Sequence, residues 1–387
     1  MFNSKQYYSN PYSTLSLLAE SGSISWNEEL RAWIVLDHRL ISELLKDENF
    51  SSKRNKLSQF TNEQSVQLSR LYEFYSHWLM FNDSPEHNVL RKLAVSLIRN
   101  GETLLSNDRI LDYVSRLIND VIQLENNIDV PNMISKPIST WVFSKMFDLE
   151  VEELLKILDN SISTVSLLGE RNPSFEACFQ IQSQLEILLK DLDIKLSKLI
   201  KRTEFKTLTR DECSDVFLNV LLDGFKSLTS GIENVIYSIL SRKEDLSQEN
   251  RLDMEWIEEL VGLAPPFQYI SRIALNDCVI EELKIKTGDK LMLFISVANR
   301  VLVSNSDTKP QKDNSAQRRL SFGLGRHSCP GISLSKRIIY QVVKSLIPLI
   351  DDLHIERIDW VPSVGYRGVA DFKLRVGEER INSDSLK

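Results

Sequence analysis

Residues 319–336 read RLSFGLGRHSCPGISLSK, and this stretch decides how the rest of the chain is interpreted. Gly323 and Gly325 let the backbone take positive φ angles and approach a flat partner closely. Pro330 suits the first turn of a helix, where its missing N–H costs nothing. The predicted helix start then directs free N–H groups at Cys329, which favours the thiolate. A thiolate held open beside a glycine loop is a metal ligand or a nucleophile.

The same stretch contains the spacing Phe-Gly-x-Gly-x-His-x-Cys-x-Gly. It resembles the haem-binding loop of the cytochromes P450, and every fixed position is matched, by Phe322, Gly323, Gly325, His327, Cys329 and Gly331. An inert cysteine in the core is the alternative, but six matches at fixed spacing favour the resemblance. The resemblance implies haem b (iron protoporphyrin IX) as cofactor, held by Phe322 and His327. It also implies Cys329 as the axial iron ligand, whose electron donation helps cleave an O–O bond.

Length and composition are ordinary for a soluble globular protein, with 387 residues, 42% hydrophobic and 26% charged. The resemblance implies one domain over residues 1–387, mostly α with small β-sheets. The net charge of −7 argues against a nucleic-acid partner, whose binding needs a basic footprint. The sequence shows neither an apolar run that could span a bilayer nor a signal-peptide core at its start. It therefore predicts a cytoplasmic protein without a membrane partner.

A helix is predicted to begin with Ser84 as its N-cap, Pro85 opening it and Glu86 in the first turn. His87 and Arg91 are four residues apart and share one face of this helix. A solvated pair on an exposed helix is one interpretation. The P450 family has a similar Pro-Glu-His-x-x-x-Arg segment, in which His and Arg contact a haem propionate. The resemblance therefore implies that His87 and Arg91 bind the cofactor.

Residues 211–242 are apolar on several faces, which predicts a long buried helix. This segment resembles the central P450 helix, which crosses the haem face opposite the cysteine and usually reads Ala/Gly-Gly-x-Asp/Glu-Thr. Gly224 matches the glycine, but Asp223 replaces the small residue before it. Lys226 stands where the acid is expected, and Ser227 stands where the threonine is expected. The proton-delivery residues of the family are therefore altered here.

The sequence leaves three interpretations of Lys226 open. In the first, Asp223 supplies the displaced carboxylate and handles protons together with Ser227, one turn away on the same face. In the second, Asp223 and Lys226 pair at i,i+3 spacing, and Lys226 anchors an acidic or carbonyl-bearing substrate. In the third, Lys226 points away from the haem into a salt bridge.

A helix that must end at residues 265–266, both proline, carries a second altered motif. The family has Glu-x-x-Arg here, and Glu259 matches the Glu, but Gly262 occupies the position of the Arg. A buried Glu259 without that partner needs another cation, and the candidates include Arg300 and Lys309.

Two further arginines complete the implied cofactor site. Arg272 matches the family arginine that binds a haem propionate from the strand after the two prolines. Arg319, at the start of the cysteine loop, is an additional candidate for the same role.

The resemblance implies a P450-type monooxygenase that tailors a small-molecule secondary metabolite with dioxygen. Its electrons are expected from a ferredoxin or flavodoxin. Two alternatives stay open because the central motif is altered. One is oxidative coupling, cyclisation or peroxide-dependent chemistry without oxygen insertion. The other is a degenerate haem-binding or recruitment module without catalysis.

Overall fold

The computed structural model describes residues 1–20, 22–53, 60–169, 173–202, 208–242, 252–304 and 319–377. Helices dominate these residues and small sheets lie at their edge, as the sequence predicted. The helices are α1 (Lys5–Ser9), α2 (Pro11–Glu20), α3 (His38–Leu44), α4 (Asn62–Gln67), α5 (Ser69–Ser76), α6 (Glu86–Glu102), α7 (Asn107–Leu124), α8 (Lys136–Phe147), α9 (Val151–Gly169), α10 (Phe175–Arg202), α11 (Arg210–Leu240), α12 (Met254–Leu263), α13 (Ile295–Ser304) and α14 (Ile332–Leu346). The single domain over residues 1–387 stays a prediction.

Ten strands complete the described secondary structure. They are β1 (Ile24–Asn27), β2 (Ala32–Val35), β3 (Phe50–Ser51), β4 (Asn127–Asp129), β5 (Ile270–Ala274), β6 (Cys278–Ile280), β7 (Leu283–Ile285), β8 (Lys290–Leu293), β9 (Leu353–Trp360) and β10 (Val369–Val376). The largest sheet has the order β1-β2-β8-β5-β3. In it β2 and β8 are parallel, while β5 runs antiparallel to β8 and places Arg272 opposite Leu291. This sheet therefore fixes the position of Arg272.

The central helix α11 is the longest in the described part of the chain and is buried along most of its length. Its start is a capping box in which Thr209 Oγ1 accepts from the Glu212 N–H and the Glu212 carboxylate accepts from the Thr209 N–H. Both bonds satisfy donors that a helix start otherwise leaves free. Apolar residues of α6, α7, α8 and α14 join those of α11 in one core.

The predicted N-cap of α6 is wrong. The helix begins at Glu86, and Pro85 occupies the cap position without a side-chain cap bond. Ser84 lies one residue too early for the role, and its Oγ instead accepts a 3.5 Å hydrogen bond from Arg326. Proline at the cap has no side-chain oxygen to offer, so α6 starts without the bond that the sequence suggested.

Candidate functional site

The cysteine loop folds as its glycines require. Gly323 and Gly325 take φ angles of +67° and +70°, the left-handed region that disfavours side chains. A Cβ on Gly325 would also lie 3.3 Å from the Leu45 carbonyl oxygen. The Cys329 N–H donates a 2.7 Å hydrogen bond to the Phe322 carbonyl, which closes the loop on itself. Cys329 is thus delivered three residues before the first residue of α14.

Two opposing influences act on the Cys329 sulfur. Burial raises the pKa of the thiol, whereas the Gly331 N–H and the Arg91 guanidinium lower it. Arg91 comes from α6 and donates a 3.3 Å hydrogen bond to Ser328 Oγ, next to the cysteine. The sulfur therefore has a cation and a helix-start N–H beside it, both of which favour the thiolate, but burial outweighs them and leaves the pKa of the thiol raised.

Basic side chains from three parts of the fold meet near the loop, and we call them the basic cluster: His87, Arg91, Arg272 and His327. The rings of His87 and His327 have centroids 4.3 Å apart. Burial, His87 and Arg272 together lower the pKa of His327 to about 3. Its Nε2 lies 3.1 Å from Ser52 Oγ. The sequence predicted these four residues as cofactor contacts, and the fold brings them together.

His87 is the least satisfied member of the basic cluster. Its side chain is 1% exposed, and neither ring nitrogen has a hydrogen-bond partner among the described residues. Burial, followed by the Arg91 charge, lowers its pKa. Buried polar nitrogens are ordinarily hydrogen-bonded, so this ring is built to contact a group from outside the chain.

The Asp223 carboxyl of α11 interacts electrostatically with the cysteine. It contributes to raising the pKa of the Cys329 thiol. Trp78, which the sequence analysis did not single out, donates a 2.6 Å hydrogen bond from Nε1 to Asp223 Oδ2. Burial raises the pKa of Asp223 to about 7, against the lowering effects of Trp78 and Lys226. A proton on this carboxyl is therefore held near neutral pH.

The residues next to Asp223 have separate surroundings. Ser227 is half-buried, one helical turn along, and its hydroxyl makes no hydrogen bond with the described residues. Gly224 lies against α8, because a Cβ there would be 2.7 Å from Phe143 Cζ. The glycine of this motif therefore allows the Phe143 ring to approach the helix.

The structure bears on two of the three interpretations of Lys226, those that give it an ion pair. It forms no ion pair with Asp223, and no other ion pair within the described residues involves it. Its ammonium lies 4.5 Å from the centre of the Tyr366 ring. Tyr366 belongs to the turn between β9 and β10, and its hydroxyl donates to the Lys226 carbonyl at 3.0 Å. Neither the i,i+3 pair nor an outward salt bridge is present, while the anchoring role stays open.

Arg319 occupies space that the altered Glu-x-x-Arg motif leaves. A Cβ on Gly262 would lie 3.2 Å from Arg319 Cδ, so the arginine packs directly on the glycine. Its Nη1 donates to the Asn299 carbonyl at 3.0 Å. The structure thus places Arg319 against α12.

Glu259 differs from the expectation of a buried acid. It is half-buried, and it makes no ion pair or hydrogen bond with the described residues. Arg300, one candidate partner, places its guanidinium 3.5 Å over the Tyr12 ring. The other, Lys309, lies outside the described residues. The neighbouring Glu258 instead pairs with Lys336 of α14.

Known proteins with similar sequences are cytochromes P450, in agreement with the resemblance of the cysteine loop. No protein-family model matches the sequence. The biotin biosynthesis cytochrome P450 of Bacillus subtilis is 24% identical over 96% of this chain and 97% of its own length. A polyketide biosynthesis cytochrome P450 of the same organism is 23% identical over 97% of this chain and 98% of its own.

Solved structures show the same fold. P450BioI, crystallised with a hexadec-9Z-enoic acid-ligated acyl carrier protein, superposes with a TM-score of 0.80 at 22% identity, covering 96% of this chain and all of that one. Epothilone D-bound cytochrome P450epoK gives 0.79 at 17% identity, with 98% and 99% covered. The chain has the fold of the cytochromes P450 and resembles them in sequence over nearly its whole length. It is an oxidoreductase of the P450 monooxygenase class, and its cofactor is haem b.

The residues of this P450 fit that cofactor. Haem b carries two carboxylates, and the unpartnered His87 nitrogens lie beside Arg91 and His327, which suits a carboxylate. Cys329 offers a sulfur beside the cationic Arg91. As a P450 it needs a substrate and an electron donor. No helix in the described part of the chain combines the length and the hydropathy of a transmembrane segment.

Two residues of the site escaped the sequence analysis. Trp78 precedes α6 by several residues and carries no motif that could have revealed it. Tyr366 lies in Gly365-Tyr366-Arg367-Gly368. The two glycines indicate a tight turn with close packing, and this pattern could have drawn attention to the tyrosine from the sequence alone.

Proposed function

We propose that this P450 inserts one oxygen atom of dioxygen into a small organic molecule, and that Cys329 would supply the thiolate that holds its haem iron. The observation that supports this most is the cysteine loop, which closes through the Cys329 N–H and has Arg91 and the Gly331 N–H beside the sulfur. When bound, haem supplies the iron at which dioxygen is activated. The protein residues then hold the cofactor and manage protons.

Four residues are proposed to hold the haem propionates: His87, Arg91, Arg272 and His327. Their shared position beside the cysteine loop and the unpartnered His87 ring support this assignment. Phe322 contributes its half-buried ring and the carbonyl that fixes the Cys329 N–H. Arg319 packs on Gly262, so we assign it first to bracing the loop against α12 and only second to the propionates.

Proton handling is assigned to Asp223 and Ser227. The Asp223 pKa of about 7 lets the carboxyl both hold and release a proton near neutral pH, as a general acid requires. Trp78 fixes one carboxyl oxygen, and the other is available to a water molecule or to Ser227 Oγ. Lys226, while cationic, offers no lone pair to accept a proton and is excluded from the relay.

For the substrate and the electron donor we propose only a chemical class and a type of protein. Relatives are named for the biosynthesis of biotin and of polyketides, and another is named a mycinamicin IV hydroxylase/epoxidase. These names support a secondary metabolite or a similar biosynthetic intermediate as the substrate here. A ferredoxin or flavodoxin is proposed as the electron donor, and the cytoplasmic location stays a prediction of the sequence.

The decisive experiment has two readouts. The reduced carbon monoxide adduct of the purified protein is expected to show the red-shifted Soret band of thiolate-bound haem, and Cys329→Ala is expected to lose that band. Conversion of an identified substrate under ¹⁸O₂ is expected to give product with one heavy oxygen. Product without the label would establish coupling or cyclisation instead, and a wild-type protein without the Soret band would establish a recruitment module.

A further inference from the structure

Lys226 presents an ammonium group that the chain does not use. It makes no hydrogen bond and no ion pair with any residue that the structure describes. Its one described side-chain contact is the face of the Tyr366 ring, 4.5 Å from the ring centre. A ring face attracts a cation, but it accepts none of the three N–H donors in a normal hydrogen bond. These donors point to a partner from outside the chain.

The Lys226 side chain is exposed to solvent, although the protein around it lowers the pKa of its ammonium, mainly by burial. The ammonium extends from α11 over the Tyr366 ring, which belongs to the turn that joins β9 to β10. The Phe267 ring, which is 37% exposed, contacts the same tyrosine.

Hydrogen bonds of its hydroxyl hold the Tyr366 ring under the ammonium. The Tyr366 hydroxyl lies 3.0 Å from the Lys226 carbonyl oxygen and 2.8 Å from Ser230 Oγ. Ser230 also helps to lower the pKa of the Glu233 carboxyl, which accepts a 2.7 Å hydrogen bond from Ser135 Oγ. The ring is therefore anchored through its hydroxyl to two turns of α11.

Close packing restricts the same ring from its other sides. The Phe267 ring meets it edge to face, with centroids 5.7 Å apart. A Cβ on Gly368 would lie 2.8 Å from the Tyr366 ring and 2.9 Å from Ser230 Oγ, so only glycine allows this approach. Tyr366 thus presents its free face to Lys226 in one fixed orientation.

The nearest acid does not neutralise the ammonium by contact. Asp223 and Lys226 form no ion pair, and the Asp223 carboxyl is engaged by Trp78. One cation with one uncommitted set of donors matches a monoanion, and a carboxylate accepts several such bonds. A doubly charged phosphate would call for a second cation, and none is among the described contacts of Lys226 and Tyr366.

We propose that Lys226, held over Tyr366, binds the carboxylate of an apolar carboxylic acid substrate and thereby sets which carbon of that acid is oxidised. Phe267, whose partly exposed ring contacts Tyr366, would offer apolar surface to the body of the acid. Tyr366, Ser230 and Glu233 act through Lys226 and are positioning residues. The proposal rests on the proposed function, because it concerns the substrate of that same site.

The test uses the haem-loaded enzyme and four ligands, which are two carboxylic acids and the neutral amide of each. These are decanoic acid with decanamide, and 4-phenylbutanoic acid with 4-phenylbutanamide. Dissociation constants are measured by calorimetry and by the haem absorbance change on binding. For the wild type, each acid is expected to bind about tenfold or more tightly than its amide. Lys226→Met is expected to remove this preference by weakening the acids alone, and Lys226→Arg is expected to keep most of it.

Tyr366→Phe provides the second, positional variant, because it keeps the ring and removes the hydroxyl bonds to Lys226 and Ser230. Its acid preference is expected to fall part of the way, by about two- to fivefold. A wild type that binds acids no better than amides overturns the proposal, and so does a Lys226→Met variant with an undiminished preference. The carbon monoxide spectrum is recorded on every sample. A normal spectrum without acid preference refutes this subsite alone, whereas an absent Soret band refutes the haem-thiolate function.

Discussion

Trp78 Nε1 donates a 2.6 Å hydrogen bond to Asp223 Oδ2, although the two residues are 145 positions apart. The bond fixes a carboxyl that burial has already moved to a pKa of about 7. The central helix has a lysine at the usual acid position, and we propose that this pair supplies protons in its place.

Trp78→Phe keeps an aromatic side chain and removes the donor. Because the hydrogen bond lowers the pKa of Asp223, its loss is expected to raise that pKa further. The basic limb of the pH–rate profile should therefore move to higher pH, and turnover should fall about 10- to 100-fold. Substrate dissociation constants should change little.

Trp141→Phe is the control for this prediction, since Trp141 stacks on Tyr113 and does not contact Asp223 through its donor. An unmoved pH profile in Trp78→Phe would exclude Asp223 from the proton relay.

Arg91→Gln removes the cation beside the cysteine loop. The guanidinium donates a hydrogen bond to Ser328 and helps to lower the pKa of the Cys329 thiol. Its loss would remove a cation that binds a haem propionate and would make the Cys329 thiolate less stable. Haem transfer to apomyoglobin is expected to be about tenfold faster than for the wild type. Lys92→Gln changes the adjacent, exposed residue of α6 and should transfer haem at the wild-type rate. Equal rates for Arg91→Gln and Lys92→Gln would remove Arg91 from the cofactor site.

Gly262→Arg restores the residue type of the family motif but places it where Arg319 already packs. Because even a Cβ would lie 3.2 Å from Arg319 Cδ, the single change is expected to cost about 1–3 kcal/mol of unfolding free energy. Arg319→Ala creates the missing room, so the double variant should recover at least half of that loss. Denaturant unfolding of the two single variants and the double variant gives the coupling. Strictly additive effects would show that the two positions do not share this space.

Glu233→Gln tests a buried carboxyl of α11. Burial raises the pKa of Glu233 from 4.5 to about 7. Between these values the folded state holds a proton that the unfolded state has released, so the wild type should lose stability as pH rises from 4.5 to 7. The loss is at most about 3 kcal/mol. The glutamine side chain of the variant cannot ionise, so the thermal midpoint of the variant should fall less over this range. The fall that remains is the part contributed by Asp223, whose pKa is also raised to about 7.

The control for Glu233 is Glu356→Gln, which changes an exposed acid on β9. This variant should keep the wild-type pH dependence of the thermal midpoint across the window between the two pKa values of Glu233. A Glu233→Gln variant that retains the full wild-type decline would show that another group causes it.

Sequence alone determined the features whose causes lie among neighbouring residues. The loop from Phe322 to Cys329 could be predicted because two glycines with positive φ and a helix start shape it locally. The helix α11 and its approximate ends followed from the apolar residues between positions 211 and 242, whereas its capping box was seen only in the structure. The family, the fold class and the cofactor followed from that loop and were confirmed by the comparisons.

Only the tertiary structure decided which groups meet across long separations. The sequence left Lys226 with three interpretations, and it could not name Trp78 as the partner of Asp223 or Tyr366 as the contact of Lys226. It marked Gly262 as a loss, whereas in three dimensions the missing side chain makes room for Arg319. The physical reason is the same in each case. Helical spacing fixes the faces on which side chains lie, but partner choice depends on how distant elements pack, and a single sequence does not encode that packing in local patterns.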